Sequence, residues 1–194
     1  MTDTGRLRDA LLRPGGASSD FDLNPAIQLP PGRVLRPAAV LVAIAGDRLI
    51  LTKRASHLKH HPGQIAFPGG KIEPEDINAE AAALREAREE IGLHPASVEI
   101  WGRLPPHETV TGFSITPVLG HVRDAFLPVP EAGEVEEVFH IPLSHVLNPA
   151  RFVIERRLWR GEWRSYYTVP WGPYYIWGAT ARILYGLAQK APAS

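Results

Sequence analysis

The sequence predicts a single α/β domain in which a mixed β-sheet is sandwiched between α-helices. Three observations carry that expectation. Residues 37–54 read PAAVLVAIAGDRLILTKR, two runs rich in Val, Ile, Leu and Ala separated by Gly46-Asp47, the pattern of paired buried strands. Residues 79–91 repeat their apolar positions with the helical period. Further strand-like runs and a closing helical stretch follow, so strands and helices share one sheet.

Taken in order, residues 5–12 have the spacing of a short amphipathic helix, stopped by Pro14-Gly15-Gly16. Irregular, surface-wrapping chain is expected from there to about Arg36. After the first strand pair, Pro62, Gly63, Pro68, Gly69, Gly70 and Pro74 predict a loop over 54–78, with a short strand through QIAF. Asn78 is placed to cap the helix over 79–91 and Gly92 to end it. Strands are predicted at VEIWGRL, SITPVLGHVR and EEVFHIPL, then a loop through Asn148 and Pro149. FVIERRLWRGEWRSYYTV reads as a hairpin turning at Gly161-Glu162, and 176–190 as a last helix. No repeat or linker divides the chain. The core is expected over about 36–190, with 1–35 as an N-terminal extension.

The 21 basic and 21 acidic residues cancel, which argues against a nucleic-acid binder and against attraction to a membrane surface. The absence of cysteine excludes disulfides, zinc-thiolate sites and thiol nucleophiles. No signal-like start and no run long enough to span a bilayer is seen, so a cytoplasmic protein acting on a small molecule is the expectation.

The chemistry is concentrated in GGKIEPEDINAEAAALREAREEIGL, residues 69–93. At about 100° per residue, Glu86, Glu90 and Glu89 fall near 0°, +40° and −60°, while Leu84, Ala87 and Ile91 fall at roughly 100–160°. One side of the helix can enter a core while the adjoining side presents three carboxylates. A solvated acidic face is the ordinary reading of such a helix. Two costs weigh against it. Like charges at i,i+4 destabilise a helix by roughly 0.2–0.5 kcal/mol. Glu89 and Glu90 also stand in the last turn, where the macrodipole disfavours anions. A bound Mg²⁺ or Mn²⁺, which prefers hard oxygen ligands, would reverse both.

This stretch resembles the Nudix box: a Gly, a Glu six positions later, then Arg-Glu-aliphatic-x-Glu-Glu-x-Gly-aliphatic. Arg85-Glu86-Ala87-Arg88-Glu89-Glu90-Ile91-Gly92-Leu93 matches its second half, with Ala87 in the aliphatic slot. The first half departs, because Asp76 stands where Glu is expected and one extra residue separates it from Arg85. Asp76 is therefore left out of the metal set. The resemblance implies the Nudix fold, with Glu86 and Glu90 as metal ligands and Glu89 as a third ligand or the holder of a metal-bound water. It implies that a backbone carbonyl at Gly69 or Gly70 completes the ion's ligands, and that Arg85 orients a carboxylate. For Arg85 the plain alternative is a surface pair with Glu89.

Upstream stands LTKRASHLKHHPGQIAFPGG, which resembles the signature of the coenzyme A diphosphatase subfamily. The matching residues are Leu51, Thr52, Arg54, Ala55, Gly63, Phe67, Pro68, Gly69 and Gly70, with Lys59 where Arg is usual. Coenzyme A-cleaving Nudix proteins share the longer loop before Arg85. The resemblance implies a phosphate-bearing substrate, for which Arg54 and Lys59 are natural partners and Gly69 and Gly70 the close backbone. His57, His60 and His61 are not assigned to the metal, since a Mg²⁺ site does not favour imidazole. His107, Thr109, Thr111 and Phe113 are expected to border the cleft. Trp159, Trp163, Trp171 and Trp177 are read as packing or a homodimer surface.

The implied reaction is attack of water on one phosphorus of the coenzyme A pyrophosphate, giving phosphopantetheine and adenosine 3′,5′-bisphosphate. Nudix relatives often supply a base from a loop after the box, which points to Glu134, Glu136 or Glu137 without choosing among them. Two alternatives stay open: hydrolysis of another nucleoside diphosphate such as ADP-ribose, and a catalytically inactive nucleotide-binding regulator. Retention of all three glutamates argues against the second.

Overall fold

A computed structural model of the protein describes residues 3–27, 29, 32–159 and 161–191. The chain runs through α1 (Asp3–Leu12), β1 (Ser18–Ser19), β2 (Arg36–Ala45), β3 (Arg48–Arg54), β4 (Ile65–Ala66), β5 (Gly69–Lys71) and α2 (Ala79–Ile91). It continues through β6 (Val98–Arg103), β7 (His107–Glu108), β8 (Phe113–Val122), β9 (Val135–Pro142), α3 (Leu143–Val146), β10 (Val153–Trp159), β11 (Glu162–Thr168) and α4 (Gly178–Lys190).

Strand β2 is apolar without a break because the sheet is covered on both sides. Its alternate side chains divide accordingly: Val42 and Ile44 join the core beneath α1, α3 and α4, while Ala39, Leu41 and Ala43 join the core beneath α2. Strand β3 repeats the division, with Leu49 and Leu51 on one face and Ile50 on the other. The result is a mixed sheet between helices, a single α/β fold. Strand β2 runs parallel to β8 for ten residues, from Arg36↔Phe113 to Ala45↔Val122. Strands β6 and β7 flank β8 in antiparallel sense.

The hairpin at Gly46-Asp47 pairs β2 with β3 only at Ile44↔Leu49 and Ala45↔Arg48. Beyond that the strands splay. Strand β5 pairs with β2, while β4 and β9 pair with β3. The splay brings the Pro/Gly-rich segment 65–71 into the sheet, so the predicted loop there contains two short strands, and Gly69-Gly70 lies beside α2.

The N-terminal segment is less peripheral than the sequence suggests. Leu7 and Ala10 of α1 are fully buried in the core, and β1 adds to the sheet parallel to β7. Strands β10 and β11 form a separate two-stranded hairpin against α4. Among the described residues no helix is long and apolar enough to cross a membrane.

Candidate active site

Helix α2 starts where the Asn78 side chain accepts from the Ala81 N–H at 2.8 Å, and ends at Gly92 in the left-handed region, φ 73°. Its inward face is Ala82, Ala83 and Ala87, all fully buried. With only methyl groups contributed by the helix at these three positions, the backbone of α2 lies close to the sheet, and its last turns come down on β5. Glu90 is consequently 4% exposed. Gly70 leaves room for Glu86, whose carboxylate occupies the space a Cβ would take. A Cβ on Gly69 would stand 2.6 Å from the Val40 Cα. Gly69 is required both by this close approach and by its φ of 156°, whereas a side chain at Gly70 would displace the Glu86 carboxylate.

Arg85 gathers the outer carboxylates. Its guanidinium donates to both oxygens of Asp76 at 3.1 and 3.0 Å, to Glu86 Oε1 at 3.0 Å, to Glu89 Oε2 at 3.0 Å and to the Lys71 carbonyl at 3.1 Å. Hydrogen bonding to Arg85 lowers the Asp76 pKa, and the same contacts raise that of Arg85. Arg85 thus makes the Glu89 pair and orients Glu86 as well. Asp76 is spent on Arg85.

Glu90 has far weaker support. It accepts one hydrogen bond, from the Gly69 N–H at 3.1 Å, and its other oxygen lies 3.9 Å from Arg54 Nη1. Burial, with the Glu86 charge nearby, pushes its pKa up to about 8 despite the Gly69 bond. Glu86 is also raised, chiefly by burial, with Arg85 opposing. Two partly desolvated carboxylates side by side are thus balanced only in part, Glu86 by Arg85 and Glu90 by Arg54 at 3.9 Å. Glu86, Glu90 and the backbone oxygens of Gly69-Gly70 are all hard donors, and they fit Mg²⁺ or Mn²⁺. Glu89, its side chain 58% exposed, is turned to Arg85. Among the described residues no three acidic or imidazole groups form a closed cluster.

The three loop glutamates have separate surroundings. Glu136 is bound to Lys53 at 2.6 Å and to the Ser56 hydroxyl and N–H, contacts that hold its pKa at about 2. Glu137 accepts from the Tyr174 hydroxyl at 2.5 Å. Glu134 is the one whose charge is felt by both Glu86 and Glu90. The backbone puts it there: the Glu131 N–H donates to the Glu90 carbonyl at 2.8 Å, and the Ala55 N–H donates to the Glu134 carbonyl at 2.9 Å. Lys59 is exposed, and among the described residues it makes no ion pair.

A model of the NUDIX domain matches residues 34–166. The chain belongs to the Nudix family. It is similar to an uncharacterized Nudix hydrolase NudL of Enterobacter sp. (strain 638), 44% identical over 162 residues, 80% of this chain and 82% of that one. It is also 42% identical over 162 residues to a NudL protein of Salmonella newport (strain SL254), again 80% of this chain and 82% of the relative. Among solved structures it is similar to a MutT protein from Methanosarcina mazei Go1, at 18% identity, TM-score 0.49, with 61% of this chain and 84% of that one covered. Nudix hydrolases act on nucleoside diphosphate derivatives and typically use divalent metals.

A cavity of about 710 Å³ is lined by Lys53, His61, Gln64, Thr111 and Glu137 and, farther along the chain, by Trp159, Tyr166, Tyr174, Tyr175 and Trp177, while Glu86, Glu89, Glu90 and Arg54 are not on its wall. Lys53 on this wall and Arg54, 3.9 Å from Glu90, are consecutive residues of β3. Two of the tryptophans read as packing or dimer surface, Trp159 and Trp177, therefore face this space, while Trp171 packs on the core. Of the expected cleft residues only Thr111 lines the cavity. His107 is fully buried between the Ser18 hydroxyl at 2.9 Å and Asp20 at 3.1 Å. It anchors Asp20 and the N-terminal segment, which supplies a wall the sequence reading missed.

Proposed function

We propose that this Nudix protein is a divalent-metal-dependent diphosphatase of coenzyme A or a close derivative. The observation that carries the reaction is Glu90, a buried carboxylate held by a single backbone N–H beside the half-buried Glu86. Such a pair costs stability without a cation and becomes favourable with one. What supports the substrate is the resemblance of residues 51–70 to the coenzyme A signature, together with a cavity of nucleotide size whose wall includes Lys53, the neighbour of Arg54 in β3.

In this reading Glu86, Glu90 and a carbonyl of Gly69 or Gly70 hold Mg²⁺ or Mn²⁺, with Glu89 joining from the next turn. The bound ion supplies positive charge to the diphosphate and a lowered pKa for the attacking water. Arg85 fixes Glu86 and Glu89 in position. Arg54 stands 3.9 Å from Glu90, where its guanidinium meets a diphosphate oxygen. Glu134 takes the proton as water attacks phosphorus. The bond to the bridging oxygen breaks, and phosphopantetheine and adenosine 3′,5′-bisphosphate leave.

Mass spectrometry of the products after incubation of coenzyme A with the protein and Mg²⁺ or Mn²⁺ tests this. The two named fragments are expected, and neither should form in the presence of a chelator. Intact coenzyme A alongside turnover of ADP-ribose would replace the substrate and keep the chemistry.

A further inference from the structure

We propose that Arg157 and Arg164 form a phosphate-binding subsite in the cavity wall, one that reads a phosphomonoester on the nucleoside half of the substrate. The two residues are direct cross-strand partners in the β10–β11 hairpin, and both line the cavity. Like charges directly opposite each other destabilise a two-stranded sheet, so the pairing itself works against folding. Each guanidinium lies over an indole: Arg157 is 5.1 Å from the Trp177 ring centroid and Arg164 is 4.4 Å from that of Trp159. Stacking uses the face of the guanidinium and leaves its in-plane N–H groups available to an anion.

Those N–H groups are poorly satisfied. Among the described residues Arg164 Nε is buried without a hydrogen-bond partner, and Nη2 reaches only Glu162, 3.8 Å away and itself two-thirds exposed. Among the described residues Arg157 makes no ion pair. The other charged groups on the cavity are engaged elsewhere: Lys53 with Glu136, Glu137 with Tyr174, and Asp20 with His107 and the Val110 N–H. A phosphate oxygen between the arginines would satisfy the buried donor and remove the like-charge repulsion.

The identity of the phosphate rests on the proposed function. Lys53 on the cavity wall and Arg54 beside Glu90 are consecutive residues of β3. With the diphosphate at Arg54, one half of coenzyme A would pass the end of that strand to enter the cavity. Only the adenosine half carries a phosphomonoester. Tyr166 on the same wall offers a flat surface for its base. The pair would therefore set the preference for coenzyme A over dephospho-coenzyme A.

The test measures binding of adenosine 3′,5′-bisphosphate and of AMP by calorimetry, to the unsubstituted protein, Arg157→Gln, Arg164→Gln and the double variant. Hydrolysis of coenzyme A and dephospho-coenzyme A is followed in parallel. A charge-assisted contact predicts about a ten- to hundredfold preference for the bisphosphate, collapsing toward unity in the double variant. Arg157→Gln, at an exposed position, carries the test should the double variant melt early. No preference in the unsubstituted protein, or a preference that survives both substitutions, overturns the subsite. Preference lost as predicted in a protein that leaves coenzyme A intact sinks the substrate reading and leaves the subsite standing.

Discussion

Asn24 holds Ser165 as a neighbouring strand would: its side-chain NH₂ donates to the Ser165 carbonyl at 2.9 Å, and its side-chain oxygen accepts from the Ser165 N–H at 2.8 Å. Both residues line the cavity, so this clasp fastens the N-terminal wall to the hairpin wall. Asn24→Ala removes both bonds, each worth roughly 0.5–1.5 kcal/mol. A lower melting temperature and a raised KM are expected, with kcat much less affected. An unchanged KM would mean that the walls hold without the clasp.

Stability should depend on pH through Glu90. Its pKa in the folded protein is about 8, against an ordinary 4.5. Between those values the folded state binds a proton that the unfolded chain has released, so stability falls as pH rises through the window. Without divalent ion, melting should occur at higher temperature at pH 6 than at pH 9, and Mg²⁺ or Mn²⁺ should narrow the difference. Glu90→Gln should flatten the ion-free profile, and both it and Glu86→Gln should lower kcat by orders of magnitude in a folded protein. Near-normal turnover of either variant would remove that residue from the metal set.

The loop glutamates should separate by basicity and position. Glu136, held at about 2 by Lys53 and Ser56, is a poor proton acceptor. Glu134→Gln should be slow, whereas Glu136→Gln and Glu137→Gln should keep most of their kcat. Full activity of Glu134→Gln across the pH range would place the base outside this loop.

Gly70→Ala would put a Cβ into the Glu86 carboxylate, while a Cβ on Gly16 meets nothing within 4 Å. The first substitution should weaken activation by Mn²⁺ about tenfold or more, on the scale of disturbed metal ligands. The second should not. Equal Mn²⁺ titrations for the two variants would show that Glu86 can move without consequence.

Arg54 and Lys59 should part company as well. Arg54, beside Glu90, is expected to contribute roughly 1.5–3 kcal/mol through a charge-assisted phosphate contact. Arg54→Ala should therefore lower kcat/KM for coenzyme A and dephospho-coenzyme A alike. If Arg157 and Arg164 read the 3′-phosphate, Lys59→Ala should not change the ratio between these substrates. A selective loss on coenzyme A would give that phosphate to Lys59.

Helix α2 was legible to the residue because its signals are local: an Asn before the first turn, a Gly after the last, and apolar spacing between them. The long strands were legible for the same reason. Strands β1, β5 and β7 were not, since two or three residues acquire strand geometry only from distant partners. The wheel placed Glu86, Glu89 and Glu90 on one arc, but their different depths depend on Ala82, Ala83 and Ala87 lowering the helix onto β5. His107 looked like a cleft residue because its partner Asp20 lies 87 positions away in sequence. Trp159 and Trp177 carry the same aromatic signal whether they fill a core or wall a pocket.

The match to the NUDIX domain stops at residue 166 and begins at 34, yet Asp20, Asn24, Tyr174, Tyr175 and Trp177 of the cavity lie outside it. The shared part of the chain carries the carboxylates together with Arg157 and Arg164, and the flanks close the rest of the cavity wall. A fragment cut to the matched residues would keep the acidic helix and lose the side of the cavity that Asn24 and Tyr174 build.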